Sequence, residues 1–298
     1  METLQNTRML DEMRSVLKRA VLAGAAAVLD VRCAGNLKTQ LKSGRELVTE
    51  ADQRSDSAIL SVLLDRLPAI DASISFHLEE SGVHGSGSAK RVGADPIDGT
   101  NHFACGGTMY AVQAHYVEHG VPLIGVLMQP EVYLPLSESR CPIGRIVTAI
   151  KGGGARVQRT RFAHGSFRLG PAQPLHFRPS PAPSGYVACV PFTTKMSEAE
   201  RGVARKVHES GLIASNTGAG SAAANVMMVI FGGQHVYANF GAGEDLDLIP
   251  PQVIAIEAGL TVWGSDRLPP VWNVRKQPFI VAPDPETAEQ FLSAAGLF

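Results

Sequence analysis

Apolar side chains recur at helical spacing over the first part of the chain. Residues 4–34 carry them every three or four positions, from Leu17 through Val21 to Val28, which predicts one long or broken amphipathic helix. Gly35 follows this run and predicts its end, because glycine readily takes the conformation that terminates a helix.

A second helix is predicted to begin at Thr49, a residue type that caps helix N-termini. Asp52 lies in its first turn, and apolar positions from Ile59 to Leu67 give it a buried face. Pro68 predicts its end, since proline lacks the N–H group that would continue the helix.

Alternating or short apolar runs predict strands in the segments that follow. Residues 73–78 alternate and deliver Glu79 at the end of a strand, and residues 92–94 lead directly into Asp95. Further strands are predicted at residues 110–116, 123–128 and 146–150, the first two joined by a turn at 118–120.

The pattern changes after residue 169. Residues 170–185 are rich in proline and lack periodicity, so a linker or surface insertion is predicted there. Strands at 186–190 and 236–239 then alternate with helices at 197–210, 222–231 and 248–258, which predicts an α/β second half. In the last helix, Pro250 and Pro251 are expected in the first turn, where proline is tolerated. We therefore predict an N-terminal α+β subdomain over 1–169 and a C-terminal α/β subdomain over 186–298.

Composition narrows the classes of function. The chain has 298 residues, 45% hydrophobic and 18% charged, which is typical of a globular protein with a substantial core. A net charge of −1 offers no general attraction for nucleic acid or an anionic membrane. Residues 156–168 combine four arginines with two phenylalanines, a pattern that could contact nucleic acid, but we interpret them as an exposed loop or edge.

Two further features bear on the compartment. The apolar run at residues 20–31 is too short to span a bilayer and does not resemble a targeting signal, so a cytoplasmic protein is predicted. The four cysteines are widely spaced, which favours buried free thiols over disulfides or a zinc site.

The hexapeptide D-P-I-D-G-T at residues 95–100 is the strongest chemical signal in the chain. Pro96 and Gly99 allow a tight turn that can aim two carboxylates and a carbonyl at one point. Such oxygen-only surroundings suit Mg²⁺, and backbone N–H groups after the glycine can face an anion. A surface turn with two acidic residues is the alternative explanation.

The motifs around this hexapeptide occur in a distinctive order. They are V-T-E-A-D at 48–52, L-E-E-S at 78–81, G-S-A-A at 220–223 and E-D-L-D at 244–247. From about residue 41 to residue 283, this set resembles the inositol monophosphatase family of Mg²⁺-dependent, lithium-sensitive phosphatases. The resemblance implies an α-β-α-β-α layered sandwich of two closely packed subdomains, and a homodimer.

The resemblance also implies a ligand set for two or three Mg²⁺ ions, which Mn²⁺ could replace. Glu79, Asp95 and the carbonyl of Ile97 match the ligands of the first metal. Asp95, Asp98 and Asp247 match those of the second, so that Asp95 would bridge the two metals.

The remaining roles follow from the same resemblance. Thr100, assisted by Glu79 and hydrogen-bonded to Asp52, would orient or deprotonate the attacking water. The residues implied to contact substrate are Asp98, Gly99, Thr100, Gly220, Ser221, Ala222, Phe240 and Asp247. Asp52 could instead be only a helix N-terminal acid, and Phe240 could be only a core residue. Glu80, His102 and Lys42 have no role that the sequence decides.

Departures from the family pattern concern the substrate. Near the place where the family has an acid that contacts an inositol hydroxyl, this chain has Phe240. Residues 215–218 lack the usual basic residue. We therefore expect a small phosphorylated metabolite other than plain myo-inositol phosphate. The alternatives are a 3′-phosphonucleotide, a sugar phosphate, histidinol phosphate, or a non-catalytic protein that binds metal or phosphate.

Overall fold

The computed structural model describes residues 2–35, 37–41, 47–85, 87, 89–133, 142–182, 184–193, 196–241, 243–272 and 277–297. Helix α1 (Glu2–Ala34) ends at Gly35, whose φ of 70° is left-handed, and helix α2 (Glu50–Arg66) packs beside it. Between them, strands β1 (Thr39–Leu41) and β2 (Leu47–Thr49) form an antiparallel pair. Both predicted helices are confirmed.

The N-terminus of α2 shows why the chain turns helical where it does. The hydroxyl of Thr49 accepts hydrogen bonds from the N–H groups of Ala51 and Asp52, while the Asp52 carboxylate accepts one from the Thr49 N–H. This reciprocal capping satisfies backbone donors that the first turn cannot satisfy within the helix.

The first sheet has nine strands and receives α1 and α2 on one face. Its strands are β3 (Ser75–Leu78), β4 (Gly82–His84), β5 (Lys90–Asp98), β6 (Ala111–Glu118), β7 (Val121–Tyr133), β8 (Ile143–Ile150), β9 (Gly154–Ala163), β10 (Ser166–Leu169) and β11 (Gln173–Leu175). The order is β10-β9-β8-β7-β6-β5-β3-β4, with β11 also paired to β9. A short helix, α3 (Thr100–Ala104), follows β5 directly.

The second half forms a five-stranded sheet with helices on both faces. Its elements are β12 (Tyr186–Cys189), α4 (Glu198–Glu209), β13 (Ile213–Asn216), α5 (Ala222–Ile230), β14 (Val236–Asn239), α6 (Asp245–Glu257), β15 (Thr261–Trp263), β16 (Phe279–Ala282) and α7 (Pro285–Ala295). The strand order is β13-β12-β14-β16-β15.

Three apolar cores hold the layers together. The first lies between α1, α2 and the nine-stranded sheet. The second joins the opposite face of that sheet to the five-stranded sheet through α5 and α6, and the third covers the outer face of the smaller sheet with α4 and α7. The order of layers is therefore α-β-α-β-α, which confirms the expected sandwich.

Several local expectations need correction. Helix α6 begins at Asp245, three residues earlier than predicted, so Pro250 and Pro251 lie in its second turn and not its first. Strand β11 lies within the segment predicted to be a linker, because residues 173–175 pair with β9. Residues 156–168, expected to be an exposed loop or edge, lie in the paired strands β9 and β10, and β10 is the edge strand of the sheet, so the edge interpretation holds and the loop does not.

The cysteines and the helices test two other expectations. Among the described residues, Cys33, Cys105 and Cys189 form no disulfide, but only Cys189 of these three is buried, and Cys141 lies outside the described residues. Across the described ranges, none of the helices combines the length and the apolar character needed to cross a bilayer.

Candidate active site

Strand β5 supplies two carboxylates from one bulge. Asp95 pairs with Gln113 on β6 and Asp98 pairs with Ala111, so three steps along β5 match two along β6. In a regular strand, residues three apart point to opposite faces, and the extra residue of a bulge removes that opposition. The Ile97 N–H donates to Asp95 Oδ1 at 2.8 Å and holds the turn.

A third carboxylate comes from the other half of the chain. Asp247 lies in the first turn of α6, and its Oδ2 accepts a hydrogen bond from the Glu244 N–H at 3.0 Å. One carboxylate oxygen from each of Asp95, Asp98 and Asp247 lies within 4.8 Å of the others. Residues far apart in the sequence thus converge on a single point.

Glu79 completes the acidic group. It follows β3, which runs parallel to β5, and its N–H donates to the Ala94 carbonyl at 3.3 Å. Its side chain is hydrogen-bonded to Asp95. The structure therefore brings together the four acidic residues that the sequence predicted as metal ligands.

Crowding of these carboxylates has a clear electrostatic consequence. Burial, followed by the charges of Glu79, Asp98 and Asp247, raises the pKa of Asp95 well above its ordinary value. A buried carboxylate among like charges is unfavourable unless a cation neutralises it. The all-oxygen donor set, without cysteine or histidine, fits a hard divalent cation such as Mg²⁺.

Asp98 is held by the N-terminus of α5. Its carboxylate accepts hydrogen bonds from Ser221 Oγ at 2.8 Å, the Ala222 N–H at 3.3 Å and the Ala223 N–H at 2.6 Å. The N-terminus of a helix carries unsatisfied N–H groups and favours an anion. Ser221 and Ala222 therefore position a carboxylate, and their contact with substrate stays a prediction.

Thr100 links the hexapeptide at residues 95–100 to α2. Its hydroxyl lies 3.0 Å from Asp52 Oδ1 and 2.9 Å from the Ile97 carbonyl. The other oxygen of Asp52 accepts hydrogen bonds from the N–H and hydroxyl of Thr49, at 2.7 and 2.6 Å. Burial raises the pKa of Asp52 despite these hydrogen bonds. The predicted contact between Thr100 and Asp52 is present.

Neighbouring atoms leave no room for a side chain at two glycines. Gly99 has a φ of 99°, and a Cβ there would lie 2.9 Å from Ser221 Cβ and 3.0 Å from the Met109 carbonyl. Gly220 has a φ of 69°, and a Cβ there would lie 2.4 Å from the His102 ring. His102 therefore packs against the loop that precedes α5.

The structure buries Phe240, so it gives no support to the expected substrate contact, which stays a prediction. Its side chain is 4% exposed and belongs to the core under α4 and α7, where an aromatic ring gains by burial. Asn239, next to it, donates from Nδ2 to the Tyr237 hydroxyl at 2.9 Å and accepts from the Gly241 N–H at 3.0 Å. Lys42 lies outside the described residues.

Sequence reasoning missed several supporting residues. Ser55 donates to the Pro96 carbonyl at 3.0 Å and thereby ties α2 to the hexapeptide. Its position three residues after Asp52 on one helix was a usable signal, because such residues share a face. Gln113 is fully buried and donates to the Leu246 and Asp247 carbonyls at 3.1 and 3.2 Å. It was visible as a polar residue within an apolar strand.

Fold and site together define a carboxylate-rich centre between the two sheets of an α-β-α-β-α sandwich. The sequence model of the inositol monophosphatase family matches residues 9–296. The chain belongs to the inositol monophosphatase family.

Individual relatives are more distant. An inositol-1-monophosphatase of Mesorhizobium japonicum is 28% identical over 147 residues, which cover 49% of this chain and 50% of that protein. The chain thus spans about half the length of the curated relatives it matches.

Solved structures match over most of the chain. The extragenic suppressor protein suhB from Bartonella henselae is 20% identical, with a TM-score of 0.71, covering 94% of this chain and 97% of the other. An IMPase/NADP phosphatase complexed with Mg²⁺ and phosphate is 17% identical, with a TM-score of 0.64, covering 90% and 89%. At these identities the likeness shows the fold.

Proposed function

We propose that this protein is a Mg²⁺-dependent phosphatase that hydrolyses a small phosphomonoester. One observation carries the proposal: carboxylates from β5 and α6 converge within 4.8 Å beside a threonine that is hydrogen-bonded to a buried aspartate. Membership of the family supports it, as does the likeness in fold to an IMPase/NADP phosphatase that holds Mg²⁺ and phosphate.

Glu79, Asp95, Asp98, Asp247 and the Ile97 carbonyl are the groups that would hold the metals. Bound Mg²⁺ supplies Lewis acidity, which neutralises phosphoryl charge and lowers the pKa of water. The protein contributes a fixed set of oxygen ligands, because Asp98 is anchored by α5 and the Ile97 N–H holds Asp95. Mn²⁺ also prefers oxygen ligands and is proposed to replace Mg²⁺.

Thr100 and Asp52 are proposed to handle the proton of the attacking water. The Thr100 hydroxyl has one proton to donate and two lone pairs that accept. When it donates to Asp52, a lone pair is free to accept a hydrogen bond from water and so orient it. Asp52 can then take up a proton through Thr100, since burial raises its pKa. Glu79, whose side chain is exposed, would assist Thr100 and Asp52 in handling the proton of the attacking water.

The substrate is proposed to be a phosphomonoester other than plain myo-inositol phosphate. Residues 237–243 contain no acidic residue, and the two polar side chains there, Tyr237 and Asn239, are hydrogen-bonded to each other. A polyol hydroxyl would therefore lack a carboxylate partner at this place, and an unpaired buried hydroxyl is costly. Backbone N–H groups of Gly99 and Thr100 would hold the phosphate oxygens.

The direct test is phosphate release from a panel containing inositol 1-phosphate, a 3′-phosphonucleotide, a sugar phosphate and histidinol phosphate. We expect release that requires Mg²⁺ and stops with chelator. Asp95→Asn should be inactive, whereas the matched control Asp30→Asn, on the exposed side of α1, should be active. Full turnover in excess chelator would contradict the metal mechanism, and no release from any phosphomonoester would favour a non-catalytic protein. Preference for inositol 1-phosphate over the rest of the panel would overturn the substrate proposal.

Two further properties are proposed from the family. Lithium should inhibit the same reaction, and an activity that does not change as lithium is raised would contradict this. A homodimer is proposed as the assembly, to be checked by light scattering coupled to size-exclusion chromatography.

A further inference from the structure

Helix α6 contains a proline pair that interrupts its hydrogen bonding beside the metal ligand. In an α-helix, each carbonyl accepts from the N–H four residues later. Pro250 and Pro251 have no N–H, so the carbonyls of Leu246 and Asp247 lack their regular helical donors. The affected turn carries Asp247, one of the three clustered carboxylates.

The side chain of Gln113 supplies donors to these same two carbonyls. Its Nε2 lies 3.1 Å from the Leu246 carbonyl and 3.2 Å from the Asp247 carbonyl. A primary amide has two N–H donors, one for each carbonyl. The reverse orientation of the amide would place Oε1 against two carbonyl oxygens, so the hydrogen bonding fixes how the side chain lies.

The burial of Gln113 indicates that the two hydrogen bonds of its amide group explain why a polar residue stands here. The residue is fully buried, and within the described parts of the chain its Oε1 has no hydrogen-bond partner. An unsatisfied buried acceptor costs free energy, which an apolar residue at this position would avoid. A glutamine here is therefore explained by the two carbonyls it serves.

Gln113 also connects the two halves of the site. On β6 it pairs directly with Asp95 of β5, while its amide holds the backbone of Asp247 on α6. The chain thus places one buried side chain between the strand and the helix that supply facing carboxylates.

We propose that Gln113 is a positioning residue for the metal-binding carboxylate of Asp247. Its amide replaces the N–H donors that the proline pair lacks, and so fixes the first turn of α6 relative to β5. The inference rests on the proposed function in that it treats Asp247 as a metal ligand.

The first test substitutes methionine, which matches the length of glutamine but donates no hydrogen bond. Mg²⁺ affinity is measured by calorimetry on the full chain without substrate, so the result is independent of turnover. We expect Gln113→Met to weaken Mg²⁺ binding by about 10- to 100-fold, the usual effect of removing a group that orients a metal ligand. Hydrogen exchange in the first turns of α6 should rise in the same variant.

Gln252→Met is the matched control. Gln252 is another buried glutamine, on α6 itself, and its amide bonds the Pro270 carbonyl and the Trp272 indole N–H, at 2.9 and 2.7 Å. Its loss should lower stability without changing Mg²⁺ affinity. Equal weakening of Mg²⁺ binding in both variants would show a general loss of packing and overturn the proposal.

A rescue experiment separates positioning from simple destabilisation. Adding Pro250→Ala and Pro251→Ala to Gln113→Met restores backbone N–H donors for the two carbonyls. We expect this triple variant to recover most of the Mg²⁺ affinity. If Gln113→Met alone does not fold, the triple variant should still fold and bind Mg²⁺. A triple variant that binds Mg²⁺ no better than Gln113→Met, or that also fails to fold, overturns the proposal.

The two proposals fail in distinguishable ways. Wild-type protein that binds Mg²⁺ but releases no phosphate refutes the proposed phosphatase activity and leaves the role of Gln113 measurable. Hydrolysis in wild type together with unchanged Mg²⁺ affinity in Gln113→Met refutes the positioning role alone. Wild type that binds no Mg²⁺ refutes both.

Discussion

Removing one charge from the carboxylate cluster should stabilise the metal-free protein. Asp95 is 2% exposed and lies among Glu79, Asp98 and Asp247, which raise its pKa together with burial. Asp95→Asn keeps an oxygen that can accept from the Ile97 N–H but removes the ionisable group. Without a metal, the variant is therefore relieved of like-charge repulsion.

The magnitude follows from distance and pH. Two unit charges at the 4.8 Å limit of the cluster repel by about 3.5 kcal/mol at an effective dielectric constant of about 20. Asp95 can avoid this by staying protonated, which at pH 7 costs about 4.4 kcal/mol for a group whose ordinary pKa is 3.8. Relaxation of the protein and penetration of solvent reduce both costs. We therefore expect the free energy of unfolding of Asp95→Asn in chelator to exceed that of wild type by about 2 to 4 kcal/mol.

The sign of the pH dependence follows from the same shift. A folded-state pKa above the unfolded one means that the native state binds the proton more tightly. The loss of native-state stability caused by Asp95 is absent below the ordinary pKa of 3.8, and it grows as the pH rises towards the folded-state pKa of Asp95. Metal-free wild type should therefore lose stability relative to Asp95→Asn as pH rises above about 4.

Urea unfolding with chelator and with Mg²⁺ measures these effects. Asp95→Asn should be more stable than wild type in chelator and should lose most of the stabilisation that Mg²⁺ gives wild type. Asp30→Asn, at an exposed position, should follow wild type in both conditions. An Asp95→Asn protein that is less stable than wild type in chelator, or that keeps the full Mg²⁺ effect, refutes the reasoning.

Other substitutions test the surroundings of the cluster. Thr100→Val should lower kcat by about 10²- to 10⁴-fold with little change in Mg²⁺ affinity, because it removes only the hydroxyl that orients water. Equal losses in kcat and in Mg²⁺ affinity would contradict the role of Thr100 in orienting water. Ser221→Ala removes the cap of α5 and a hydrogen bond to Asp98, so urea unfolding should show a loss of about 2 kcal/mol, and an unchanged midpoint would argue against both contacts. Phe240→Glu should unfold the protein, as an unpaired charge in the core costs several kcal/mol; a folded variant that hydrolyses inositol phosphate faster would restore Phe240 as a substrate contact.

Local patterns were sufficient for much of the architecture. The spacing of apolar residues predicted α1 and α2 together with their ends, since Gly35 and Thr49 act within one turn of the helices they bound. Alternation predicted β6 and β7 as a pair joined by a tight turn. The four acidic residues predicted as metal ligands were found through the family resemblance, which rests on motifs that are short and contiguous and can be recognised without knowledge of distant contacts.

The linear pattern therefore specified most of the local elements and the set of acidic and hydroxyl side chains, whereas the packing of the chain determined which of these side chains lie together. Phe240 stands close to the acidic block in the chain, yet its ring is buried in the core under α4 and α7. The proline pair of α6 looked like a helix start, but the helix begins three residues earlier, where Glu244 and Asp247 cap it reciprocally. Gln113, on a distant strand, donates to the two carbonyls that lie four residues before the prolines. Such a hydrogen bond depends on the packing of β6 against α6, and a linear pattern carries no record of that packing.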